Sequence, residues 1–258
     1  AHIENREQRR WLQSKMEPFG NKPSFSSELK RRTLRQLVEA TTFEHFCATR
    51  YIGKKRFSLE GSESLIPMMH SLIDFAGDLG VEVVNIGMAH RGRINVLVNI
   101  LNKSYDQLFT EFEESWSEDY VSDGGDVKYH LGYSADLDTD NNRNIHITLA
   151  SNPSHLEFGH SVVLGKARAR QRVQHDENRA KCIPLIIHGD ASFPGQGIVA
   201  EMFNMTHLDG YTVGGSIHFV VNNQIGFTTN PRDCYSGRYC TDIAKMVGAP
   251  ILHVNGND

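Results

Sequence analysis

Four short runs of this chain, at residues 81–86, 145–150, 182–187 and 216–221, are mostly apolar and rich in β-branched residues. Apolar residues fall on both faces of each run, so a strand built from any of them must be covered on both sides. Between the runs, apolar residues return every three or four positions, which is the helical period. Buried strands alternating with helices predict an α/β fold, a mostly parallel sheet with helices on both faces. A fifth run, at 251–254, reads as one more strand.

The first 50 residues have another texture. They are polar with helical spacing, with Leu34, Leu37, Val38, Phe43 and Phe46 as one apolar stripe and Ser27 at the helix start. This predicts a helical segment over 1–50 and an α/β domain over 51–258. Gly53-Lys54-Lys55-Arg56 reads as a solvated loop, with a phosphate contact as the other reading. Ser64, Pro67 and Gly80 frame a helix before the first strand. Ser154 and Glu157 have the Ser-x-x-Glu spacing of a capping box. The stretches 106–126 and 134–143 read as surface insertions.

The 27 Lys and Arg against 31 Asp and Glu give a net charge of −4, which argues against a nucleic-acid or anionic-membrane surface. No apolar run approaches the ~18–20 residues of a membrane span. Four cysteines without CxxC spacing point to a reducing compartment, with neither a zinc site nor a disulfide framework. The chain opens without Met and closes on PILHVNGND, which predicts a piece of a longer protein.

In an open parallel sheet, ligands bind beyond the carboxyl ends of the strands. Here those ends carry His90-Arg91-Gly92-Arg93, then Ser151-Asn152-Pro153-Ser154-His155, then His188-Gly189-Asp190-Ala191, then Asn222-Asn223-Gln224-Ile225. Asp190 and Asn223 offer a carboxylate and an amide oxygen, a hard donor set suited to Mg²⁺ or Ca²⁺, and Mg²⁺ commonly shares its shell with phosphate. The bland reading of the same pair is a helix cap and a turn. A helix starting near Gly195–Gly197 would offer backbone N–H groups to an anion. His155 and His188 stand between structural and pocket-lining roles, whereas His160 and His218 have no constellation and read as core or surface residues. Tyr129 and Phe227 read as packing residues, and the acidic stretch 111–119 as a solvated face.

Gly-Asp-Ala followed by Asn-Asn resembles the diphosphate–Mg²⁺ signature of thiamine-diphosphate enzymes. The longer runs GMAHRGRINVLVN, DVKYHLGYS, SNPSHLEF, HGDASFPGQGIVAEMFNM, VVNNQIGFTT and YCTDIAKMVGAPILHVN resemble the decarboxylating component of 2-oxoglutarate dehydrogenase complexes, over nearly the whole chain. The resemblance implies the thiamine-diphosphate-binding fold, with the pyrimidine-binding and C-terminal domains outside these residues. It implies Mg²⁺ held by Asp190, Asn223 and the Ile225 carbonyl, and thiamine diphosphate contacted by Arg91, Asp190, Ala191, Asn223 and Ile225. His90 and His130 become the catalytic and substrate-binding histidines, and Ser134 a substrate-pocket residue that only some members have.

The implied activity is decarboxylation of 2-oxoglutarate and transfer of succinyl to a lipoyl group. The implied partners are the lipoyl-bearing succinyltransferase, dihydrolipoyl dehydrogenase and a second copy in a homodimer. The implied place is the bacterial cytoplasm or the mitochondrial matrix. The 2-oxoadipate enzymes are the nearest rival, because one methylene is worth only ~1–3 kcal/mol in a pocket; Tyr129-His130 favours the 2-oxoglutarate type. With half of the active site elsewhere, these 258 residues alone are expected to bind the cofactor weakly and not to turn over.

Overall fold

The computed structural model describes residues 2–20, 22–113 and 130–256. Its centre is a five-stranded sheet in the order β2-β3-β1-β4-β5, made of β1 (Val83–Met88), β2 (Tyr133–Asp138), β3 (Asn144–Leu149), β4 (Cys182–Gly189) and β5 (Ile217–Val221). β1 runs parallel to β3 and β4, and β4 parallel to β5. The predicted parallel core is therefore present. Every residue of β1 is buried.

The two faces of β1 explain that burial. Val84, Ile86 and Met88 join Leu185, Ile187, Ile147 and Leu149 in the main core, closed by residues of α3 (Leu65–Asp78) and α4 (Arg93–Asn99). The opposite face packs on α6 (Phe158–Val173), where Val83 meets Ala167 and Cys182. Gly87 lies so close to α6 that a Cβ there would come 2.9 Å from Val163 Cγ2, a close approach only glycine permits. Beyond β4, the short α7 (Ser192–Gly195) and α8 (Gly197–Asn204) pack Phe193, Val199 and Met202 into a third cluster.

Several expectations need correction. The stretch 134–143 is not an insertion: its first part is β2, paired antiparallel with β3, and its alternating exposure is that of an edge strand with one wet face. Within 106–126, α5 (Tyr105–Glu113) buries Leu108 and Phe112 against Phe43 and Cys47; residues 114–129, with Tyr129 and the rest of the acidic stretch, lie outside the described residues. No strand forms at 251–254: Leu252 and Val254 are exposed and the segment joins no ladder. A β-branched run needs a backbone partner to be a strand.

At the N-terminus, α1 (Arg6–Met16) precedes α2 (Ser27–Arg50), whose cap is Ser26 rather than Ser27. Its buried face is Gln36, Ala40, Phe43 and Cys47, whereas Leu34 is 61 % exposed and Val38 and Phe46 also face outward. Of the expected stripe, Phe43 packs inward as expected, while Leu34, Val38 and Phe46 turn away from the packing face. Ala40 belongs to the same core as the sheet. Lys54 is not merely solvated, since its ammonium donates to the Phe112 carbonyl. Gly80 ends α3 with a left-handed φ of 86°, as its position suggested. Among the described residues, no helix is long and apolar enough to cross a membrane.

Candidate functional site

Three groups of side chains gather at the carboxyl ends of the parallel strands. The first is a pair of histidines held by one asparagine. Asn152, after β3, is buried, and its backbone N–H donates to the His130 carbonyl at 3.2 Å. Its own carbonyl accepts from His130 Nδ1 at 2.6 Å, and its amide nitrogen donates to His90 Nδ1 at 2.8 Å. These bonds select opposite neutral tautomers. His90 carries its proton on Nε2, whereas His130 carries its lone pair there. The rings stand edge to face with centroids 5.2 Å apart, and Phe57 packs on His90 at 5.1 Å. Ser134 sits farther along, exposed on edge strand β2 opposite Thr148.

The second group surrounds Asp190, which follows β4 and is 2 % exposed. The loop after β5 lies over it: a Cβ on Gly226 would come 3.1 Å from the Ala191 Cβ. Burial pushes the Asp190 pKa up, against the backbone N–H groups of Asp190 itself, Gln224 and Ala191 and the charge of Arg91, which favour the ionised form. Asp190 Oδ1 is buried without a hydrogen-bond partner. The Asn223 side chain accepts from the Ile225 N–H at 3.2 Å and donates to the Leu59 carbonyl at 3.1 Å. Arg91 donates to the Ser58 carbonyl at 2.6 Å. Residues 58 and 59 therefore tie the arginine and the asparagine loop together, a strut that nothing in the basic loop before it foretold. The fit to a hard divalent cation is good. An orphaned buried carboxylate oxygen lies beneath a loop that carries the Asn223 amide oxygen and the Ile225 carbonyl.

The third group was missed from sequence. Glu157 is no capping-box residue: α6 starts at Phe158, and Glu157 precedes it with a left-handed φ of 72° and its carboxylate buried. One oxygen accepts from His160 Nδ1 and His188 Nδ1, each at 2.6 Å, and the other from Ser192 Oγ at 2.5 Å. His188 Nε2 meets His218 Nδ1 at 2.8 Å, and His218 Nε2 meets Ser216 Oγ at 2.8 Å. With neutral rings and an ionised Glu157, a single set of tautomers satisfies every contact, each proton pointing from Ser216 inward to the carboxylate. Burial alone would raise the Glu157 pKa, but donation from the two imidazoles wins and holds it below the usual range. Burial holds His188 neutral, and His218 is pushed down to about 3 by burial and by its neighbour His188. Glu157, His160 and His188 are chemically able to hold a metal ion, yet the 2.6 Å bonds already satisfy the atoms concerned.

Arg93 completes the strand-end architecture. It is fully buried and donates to the carbonyls of Met88 (3.3 Å), Leu131 (2.8 Å) and Ala150 (2.6 Å). It thereby locks the ends of β1 and β3 to the segment after His130. Burial lowers its pKa to about 10, still cationic at neutral pH. His155 is exposed and stacks edge-on to Phe158, so it takes no part in these groups.

A family model described as "Dehydrogenase E1 component" matches residues 35–258. Over all 258 residues the chain is 50 % identical to the 2-oxoglutarate dehydrogenase E1 component of Haemophilus influenzae and 49 % identical to that of Cupriavidus necator. It is 46 % identical, over 267 aligned positions, to that of Brucella canis. Each alignment covers the whole of this chain but only 27 %, 27 % and 26 % of the respective relative. With a family match over most of its length, the chain belongs to the dehydrogenase E1 component family.

Proposed function

We propose that this chain carries the metal-and-diphosphate half of the active site of a thiamine-diphosphate-dependent 2-oxoglutarate dehydrogenase. The overall reaction converts 2-oxoglutarate and a lipoyl group to CO2 and a succinyl thioester on the lipoyl-bearing partner enzyme. Bound thiamine diphosphate supplies the carbanion chemistry that loss of CO2 from a 2-oxo acid requires. The protein's part is position, charge and protons.

Asp190, Asn223 and the Ile225 carbonyl hold Mg²⁺, with Asp190 Oδ1 as the acceptor that gains a partner. Arg91 and the Ala191 backbone lie beside it and offset the diphosphate charge. Asn152 orients both histidines, donating to His90 Nδ1 and accepting from His130 Nδ1, and the pair binds the 2-oxo acid and moves its protons. Ser134 borders the substrate region from β2. The pyrimidine-binding half comes from a second copy of the full-length protein.

The carrying observation is the unpartnered, buried Asp190 oxygen beneath the Asn223 loop. Calorimetric titration of the full-length protein tests it. Asp190→Ala should weaken Mg²⁺-dependent thiamine diphosphate binding at least ~100-fold, the loss expected when a charged metal ligand is removed. Wild-type affinity in that variant would sink the assignment. Turnover of 2-oxoglutarate against 2-oxoadipate with an artificial electron acceptor then decides the substrate.

A further inference from the structure

No side chain donates to the Asp190 carboxylate, which is met by backbone N–H groups, so the backbone that carries it decides where it stands. That backbone is gripped on both sides by one carboxylate. His188, two residues before Asp190, donates to Glu157 Oε2 at 2.6 Å. Ser192, two residues after it, donates to Glu157 Oε1 at 2.5 Å and also lies 3.2 Å from the Gly189 carbonyl. Glu157, His188 and Ser192 are all buried. The grip extends to the next strand. His218 lies on the same face of β5 as His188, diagonal to it across the ladder, and bonds to its Nε2. β4 ends in Asp190 and β5 in the Asn223 loop, so the network ties together the two strands that deliver the two loops. Glu157 reaches this place through a left-handed φ of 72°, a conformation strained for a non-glycine residue that persists where the surroundings enforce it.

We propose that Glu157 is a positioning residue for the metal-binding loop: its carboxylate, held by His188 and Ser192, sets where Asp190 stands relative to Asn223. The inference rests on the Mg²⁺ reading given above. Ligands oriented by hydrogen-bonded neighbours lose affinity when those neighbours are removed, typically 10–100-fold. His160 steadies the shared oxygen from α6 but does not touch the loop.

The test is a Mg²⁺ titration of the full-length protein with thiamine diphosphate present, followed by calorimetry, beside thermal unfolding of the metal-free protein. Glu157→Gln keeps the side chain's shape but removes its charge and leaves one acceptor oxygen where three donors converge. It should raise the Mg²⁺ Kd about 10–100-fold. Ser192→Ala removes one side of the grip only and should raise the Kd by a smaller factor, roughly 3–10-fold. A Glu157 with a purely structural role would lower the metal-free melting temperature and leave the Mg²⁺ Kd within about twofold in the folded protein, which overturns the proposal. Should Glu157→Gln fail to fold, an unchanged Kd in Ser192→Ala overturns it equally. Asp190→Ala separates the two levels. If it also keeps wild-type affinity, the metal assignment has failed; if it loses affinity while Glu157→Gln does not, only the positioning role has.

Discussion

Asp190 and Glu157 are both buried carboxylates at the same edge of one sheet, linked through His188 and Ser192, which stand two residues to either side of Asp190, yet their pKa values move in opposite directions. Glu157 receives three short hydrogen bonds and its pKa falls. Asp190 has an oxygen with no partner and its pKa rises. Burial disfavours the charged form in both, so the difference lies in what each can bond to. A saturated carboxylate is a structural tie. An under-satisfied one at a strand end has capacity left for a cation, and stability is given up to keep it that way.

The comparison breaks first on stability. Replacing Glu157 with Gln leaves one acceptor oxygen for three buried donors, and a donor stranded in a dry interior costs about 1–3 kcal/mol. Denaturant unfolding of the metal-free protein should show that loss. Asp190→Asn should do the reverse, because burial of this charge outweighs the backbone N–H groups and the Arg91 charge that favour it; a gain of about 1 kcal/mol is expected without metal. Equal losses in both variants would show that the two carboxylates are alike after all. The same substitution that stabilises the empty protein should weaken Mg²⁺ binding, which sharpens the contrast between tie and ligand.

This division was only half legible beforehand. Asp190 and Asn223 could be picked out because they close mostly apolar strands whose ends are predictable. Glu157 could not, because Ser154-x-x-Glu157 has the spacing of a helix cap, and only the left-handed turn at 157 sends the carboxylate inward. His218 was hidden for a related reason. A histidine within a strand gives no sign of facing another histidine until strand register is known. The fold shows the same limit. β1, β3, β4 and β5 declare themselves by mostly apolar, β-branched runs, whereas β2 alternates Tyr133, Ala135 and Leu137 with exposed polar residues and reads as loop. On α2, small and polar residues, Ala40 and Gln36, take the buried face while Leu34 and Val38 stay outside. Hydrophobicity alone points to the wrong side when a close helix contact demands small residues.

The mildest test uses pH. His218 titrates near 6.5 when unfolded but only near about 3 in the folded protein, because burial and His188 oppose its charge. Between those values the unfolded chain binds the extra proton, so stability falls as pH drops below about 6.5. Each proton that only the unfolded chain binds costs ~1.4 kcal/mol per pH unit inside that window, and His188, whose pKa burial also lowers, adds to the slope. Glu157 adds to the loss only below about pH 4.5, where its depressed pKa begins to matter. Asp190 acts in the opposite sense, since its raised pKa lets the folded form take a proton first and relieves its burial cost as pH falls. Unfolding free energies measured from pH 7 to 5 should therefore slope downward in the wild type and run flatter in His218→Gln, which keeps a donor for His188 without a group that titrates in this range. An unchanged slope in that variant would place the acid sensitivity elsewhere and remove His218 from the tie that separates Glu157 from Asp190.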